Sequence, residues 1–199
     1  MASKLKIPAL RGSKRRFAFV LGNSTYGKFG ALPNATRAAD EIARKLTELD
    51  FEVDLQKDLG PGEIIPAFDK FRERVKAHRN VDTVAIYYAG HGFQENGSNY
   101  ILSVPNEEGD IAELPVLNMV APFKATGARR LLFFDACRNL DTDAVEQSLA
   151  RTRDFTSGNR PRIRVGLSDA RADYGTETVL SFSAAPGKKA LDEIEEAAN

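Results

Sequence analysis

Short apolar runs alternate along this chain with segments whose apolar positions recur every three or four residues. Phe17 to Leu21 is an unbroken apolar run closed by Gly22-Asn23, the pattern of a buried strand entering a loop. From Ala35, the positions Ala38, Ile42, Leu46 and Leu49 follow helical spacing, and Phe51 to Leu55 alternates as a second strand. Pro61 opens another helix with the face Ile64, Phe68, Phe71 and Val75, ahead of a third strand at Val81 to Tyr88. The Asn96-Gly97 turn and the run Tyr100 to Val104 predict a small hairpin beside the main sheet. Leu117, Val120 and Phe123 mark a third helix, Arg130 to Asp135 a fourth strand and Thr178 to Ser183 a fifth. Such alternation predicts the α/β class, a three-layer α/β/α sandwich around a mainly parallel sheet with right-handed crossovers.

The pattern breaks between Asp141 and Gly175, a polar stretch carrying Arg151, Arg153, Arg160, Arg162, Arg164 and Arg171. A loop of that length in a compact domain is either functional or unstructured. The chain has 199 residues, 42% of them hydrophobic, enough for one domain with its own core. Residues 1–15 read as a flexible basic leader and 16–199 as the domain. Lysine and arginine total 28 against 28 for aspartate and glutamate, so no global field favours nucleic acid or an anionic membrane. No apolar run has the length of a signal peptide core or a membrane span.

One cysteine, Cys137, and two histidines, His78 and His91, confine the candidate chemistry. A single cysteine forms no internal disulfide, which predicts a reducing, cytoplasmic setting, and one cysteine with two histidines makes a poor metal site, which predicts catalysis without a cofactor. Cys137 ends the apolar run that starts at Leu131, and His91 ends the run that starts at Val84. Both then emerge at the carboxyl ends of buried strands, where open α/β sheets place their chemistry. A thiol with an ordinary pKa of about 8.5 is mostly protonated at neutral pH, so a neighbouring imidazole makes it a far better nucleophile. Gly92, without a side chain, lets its backbone N–H approach a developing oxyanion beside the N–H of Cys137. The competing reading is a buried core thiol beside a turn histidine. His78, at a predicted helix end among charges, reads as a surface residue.

These residues carry a specific resemblance. Tyr87-Tyr88-Ala89-Gly90-His91-Gly92 and Asp135-Ala136-Cys137-Arg138-Asn139 resemble the histidine and nucleophile motifs of the caspase-like cysteine peptidases of clan CD, most closely the bacterial paracaspase and metacaspase-like branch. Their separation, 137 − 91 = 46 residues, is near the roughly 50 of caspases. Leu21 to Tyr26, Leu32-Pro33-Asn34-Ala35 and Ser183 to Gly187 resemble further family motifs in the same order. The resemblance implies a caspase-like sheet, a p20-like core over 16–140, a processing loop over 141–175 and the start of a p10-like part over 176–199. It also implies a further strand and helix after the acidic segment, supplied by a partner or by chain beyond Asn199.

Caspases proper have glutamine where this chain has Asp135, and a carboxylate there suits an arginine or lysine side chain. By resemblance, Asp192 falls where paracaspases place a second pocket acid, with a solvated acidic tail as the other reading. The family's aspartate in the first helix is replaced here by Ala38, and Asp40 two positions on faces elsewhere on a helix. The function expected is cleavage of protein or peptide substrates after arginine, less readily lysine, with self-processing in the arginine-rich loop. A caspase-like scaffold that binds without cutting is the alternative. Calcium activates some metacaspase-like relatives; Asp110 and Glu113 are hard-cation donors, but no loop has EF-hand spacing, and that dependence is unassigned.

Overall fold

Phe17, Ala18, Phe19, Val20 and Leu21 are all fully buried because the strand they form is covered on both faces. A computed structural model describes residues 15–95, 98–137, 163–165 and 177–182. The elements are β1 (Arg15–Gly22), α1 (Pro33–Glu48), β2 (Phe51–Lys57), α2 (Ile64–Lys76), β3 (Val81–Glu95), β4 (Ser98–Leu102), β5 (Glu113–Pro115), α3 (Val116–Val120), β6 (Arg129–Cys137), β7 (Ile163–Val165) and β8 (Thr178–Phe182). Strands β2, β1, β3, β6 and β8 pair in that order, all parallel. The remaining strands β4, β5 and β7 form an antiparallel extension built on the last residues of β3.

Because β2 and β3 lie on opposite sides of β1, right-handed crossovers send α1 and α2 to opposite faces. The two faces differ in grain. Towards α1 the sheet offers Ala18, Val20, Ala85 and Ala89, and the helix answers with Ala35, Ala39 and Ala43. Small residues on both sides bring the helix close. Towards α2 and α3 the packing is aromatic, with Phe19, Phe68, Phe71 and Phe123 in edge and tilted contacts. Burying each such ring contributes about 1.5–3 kcal/mol.

Several boundaries depart from expectation for local reasons. The first strand starts at Arg15, the last residue assigned to the leader, because Arg15 already pairs with Val81. The second helix starts at Ile64, with Pro61 in the turn before it. Pro122 lacks the N–H that a continuing helix needs, so α3 stops at Val120 and a 3-10 turn, Ala121–Thr126, carries Phe123 into the core. Glycine-punctuated sequence after Tyr88 does not end β3, which runs on through His91 to Glu95. Ile163-Arg164-Val165, inside the expected loop, alternates as a strand and pairs antiparallel with the end of β3. The rest of the leader, most of the 141–175 loop and the 183–199 tail lie outside the described residues, as does the Asn96-Gly97 turn.

Candidate active site

The parallel strands β3 and β6 end together. Their register pairs Ala89 with Asp135, Gly90 with Ala136, and His91 with Cys137. Neighbouring strands lie about 4.8 Å apart, so the backbones of the expected base and nucleophile are adjacent at the carboxyl edge of the sheet. Gly92 follows in β3 opposite Ile101 of β4. Asp192 lies outside the described residues.

His91 is almost wholly buried, and its Nε2 sits 2.8 Å from the Gly30 carbonyl oxygen. A carbonyl oxygen only accepts, so Nε2 carries a hydrogen, and in the neutral form of the ring the lone pair lies on Nδ1. The carbonyl belongs to the loop after β1, which is anchored at several points. Asp58 accepts the N–H groups of Ser24 at 2.6 Å and Thr25 at 3.0 Å. Asn23 accepts the Leu59 N–H at 3.1 Å and donates to the Leu102 carbonyl at 2.9 Å. Asp58 has a left-handed backbone, φ 48°, a conformation that Asp and Asn tolerate better than most residues.

Behind the imidazole, Tyr26 lies 4.3 Å away ring to ring. Burial pushes the Tyr26 and Tyr88 phenols far above the ordinary tyrosine range, so both hydroxyls keep their protons. Gly90 has no room for a side chain, because a Cβ there would meet the Tyr88 hydroxyl and lie 2.6 Å from that of Tyr26.

Asp135 is partly buried, and the Tyr87 hydroxyl donates to its Oδ2 across a long 3.5 Å contact. The Tyr87 phenol is also held far above its ordinary range, first by burial, then by the negative charge of Asp135, with Glu41 adding to it. Asp40 is engaged elsewhere, 2.6 Å from Lys57 across α1 and β2, while Ala38 packs against the core. His78, by contrast, stacks on Phe17 and meets Arg15, away from this edge. Among the described residues no three His, Cys, Asp or Glu side chains gather as a metal site, and no helix is long and apolar enough to cross a membrane.

A family model described as "Caspase domain" matches residues 15–198. The chain belongs to the caspase domain family. A similar protein is the paracaspase of Dictyostelium discoideum, 25% identical over 134 residues, which are 65% of this chain and 32% of that relative. The chain therefore spans about a third of the relative's length. Membership places this caspase domain in a family of peptidases, on the α/β sheet predicted from its sequence pattern. The Gly30 carbonyl and the tyrosine hydroxyls around His91 were not legible as site residues. A backbone carbonyl has no sequence signal, and the Leu21 to Tyr26 motif marked the loop without saying what it does.

Proposed function

We propose that this caspase domain is a cysteine endopeptidase that hydrolyses peptide bonds after arginine, and less readily lysine, through a Cys137–His91 dyad. The reading rests on the register that makes His91 and Cys137 cross-strand partners at the carboxyl edge of the sheet. In the proposed cycle Nδ1 of His91 takes the Cys137 proton and the sulfur attacks the scissile carbonyl carbon. N–H groups of Gly92 and Cys137 stabilise the oxyanion. The C–N bond breaks as His91 returns the proton to the leaving amine, leaving a thioacyl enzyme. Water then gives a proton to His91, its hydroxide attacks the thioester, and the released sulfur regains the proton. A free thiol suits a reducing compartment such as the cytoplasm.

Asp135 is the proposed receptor for the basic side chain, which arginine would engage in a bidentate fork. By the family resemblance Asp192 is a second acid, and the arginine-rich run between 151 and 171 is a substrate for self-processing. Position 38 supplies no carboxylate, and the Lys57 pair occupies Asp40.

Fluorogenic peptides ending in arginine, lysine or aspartate test the reading. Wild type should cleave after arginine, then lysine, and not after aspartate, while Cys137→Ala should abolish turnover. Asp135→Asn should lower kcat/KM for arginine at least tenfold, about 1.4 kcal/mol. An inert wild type, or undiminished turnover by Cys137→Ala, refutes it. A domain that binds without cutting would leave Cys137 unmodified by an arginyl chloromethyl ketone.

A further inference from the structure

The antiparallel ladder between β3 and β4 stops at Gly92 and Ile101. Its next pair would be His91 with Leu102, and there two tyrosine hydroxyls stand between the strands. The His91 N–H donates to Tyr26 Oη at 3.0 Å, and that hydroxyl reaches the Leu102 carbonyl at 3.2 Å. In the opposite sense, the Leu102 N–H approaches Tyr88 Oη at 3.4 Å, and that hydroxyl donates to the His91 carbonyl at 2.5 Å. Each hydroxyl has one proton to give and one main-chain N–H to accept, and the Tyr88 hydroxyl also lies 3.0 Å from the Leu102 carbonyl, a second acceptor beside the His91 carbonyl. The two oxygens lie 2.9 Å apart.

We propose that Tyr26 and Tyr88 are positioning residues, a hydroxyl bridge that opens β3 from β4 at His91 and holds the imidazole with Nε2 on the Gly30 carbonyl. Direct ladder bonds would keep His91 flat against β4. Inserting two hydroxyls spreads the strands where the β3–β4 ladder ends, without leaving a buried main-chain group unsatisfied. The Tyr26 ring also packs on the imidazole, so one side chain fixes both the backbone and the ring of His91. Gly90 completes the arrangement, since any Cβ would occupy the space of the hydroxyls. The bridge gives the Leu21 to Tyr26 and Tyr87 to Gly92 motifs one shared task, although the two tyrosines are 62 residues apart. It deepens the proposed function, resting on His91 as the proton carrier.

Tyr26→Phe and Tyr88→Phe keep the rings and delete the hydroxyls, and Tyr100→Phe, on β4 and outside the site, serves as the control. Each bridge variant should lower kcat on the arginyl peptide about ten- to a hundredfold with KM within about twofold, as a misplaced catalytic group does. The double variant should lose no more than the worse single one, since the hydroxyls act as a unit. An activity-independent readout comes from imidazole nitrogen NMR, simple in a chain with two histidines. Wild-type His91 should show the Nε2–H form, and both bridge variants should shift its signals while Tyr100→Phe does not.

Unmoved His91 signals in folded Phe variants overturn the proposal, as does an Nδ1–H form in wild type, which needs no variant to fold. A wild type inert on the peptide whose His91 signals still shift in the variants sinks the peptidase reading and upholds the bridge.

Discussion

Replacing Gly22 by alanine should push α1 off the sheet. A Cβ at this position would lie 2.6 Å from the Ala35 carbonyl oxygen, 2.7 Å from Ala39 Cβ and 2.9 Å from Thr36 Cα. All three belong to the helix backbone or to a side chain without rotamers, so no single torsion relieves the clash. Ordinary contact begins at 3.4 Å, and the helix must therefore retreat by up to 3.4 − 2.6 = 0.8 Å. Overpacking of this kind costs about 1–3 kcal/mol. For a chain of this size each kcal/mol moves Tm by about 2–4 °C, so the midpoint should fall by roughly 2–12 °C. The same change at Gly62 meets no atom within 4 Å and no positive φ, and should stabilise by about 0.4–1 kcal/mol through the unfolded chain. Thermal unfolding followed by circular dichroism compares the two. Activity should drop in Gly22→Ala beyond the stability loss, since Thr36 donates its N–H to Ser24 Oγ at 3.2 Å and Ser24 lies in the loop that carries Gly30. Alanine variants that shift Tm in the same direction would refute the packing account.

Alkaline pH should weaken the fold. Tyr26 and Tyr88 ionise near 10.0 when unfolded, and burial raises both in the folded state. The unfolded chain thus loses those protons first. Stability is whole below pH 10 and falls above it by up to about 1.4 kcal/mol per pH unit for each group. Urea midpoints on either side of pH 10 measure this, and Tyr88→Phe should flatten the fall; a midpoint that stays put contradicts it. Arg130, buried, donates to Thr178 Oγ1 at 2.9 Å and to the Ala128 carbonyl at 3.1 Å, tying β8 to β6. Arg130→Met should cost about 1–3 kcal/mol and speed amide exchange across residues 178–182; unchanged protection there would remove Arg130 from that role.

Periodicity located the parallel strands and the crossover helices because burial on both faces leaves unbroken apolar runs such as Phe17 to Leu21, and burial of one helix face leaves the spacing of Ile64, Phe68, Phe71 and Val75. Contributions from few residues escaped it. Glu113–Pro115 and Ile163–Val165 are three residues each and acquire their strand character from partners already in place. His91 and Cys137 stood out because each ends such a run. The Gly30 carbonyl and the Tyr26 hydroxyl reach His91 from 61 and 65 residues away, and contacts at that range are made by tertiary packing, which local pattern does not encode.

The central strand also sets an order of assembly on the ribosome. Of its two parallel neighbours, β1, with β2 beyond it, comes from residues already synthesised, and β6 comes later. At roughly 5–20 residues per second, the 137 − 91 = 46 residues from His91 to Cys137 take roughly 2–9 s to make. The sheet block that holds the histidine can settle in that interval with no thiol beside it. On the proposed mechanism a half-made chain carries the histidine without its nucleophile, and the proposed dyad comes into being when β6 docks beside β3.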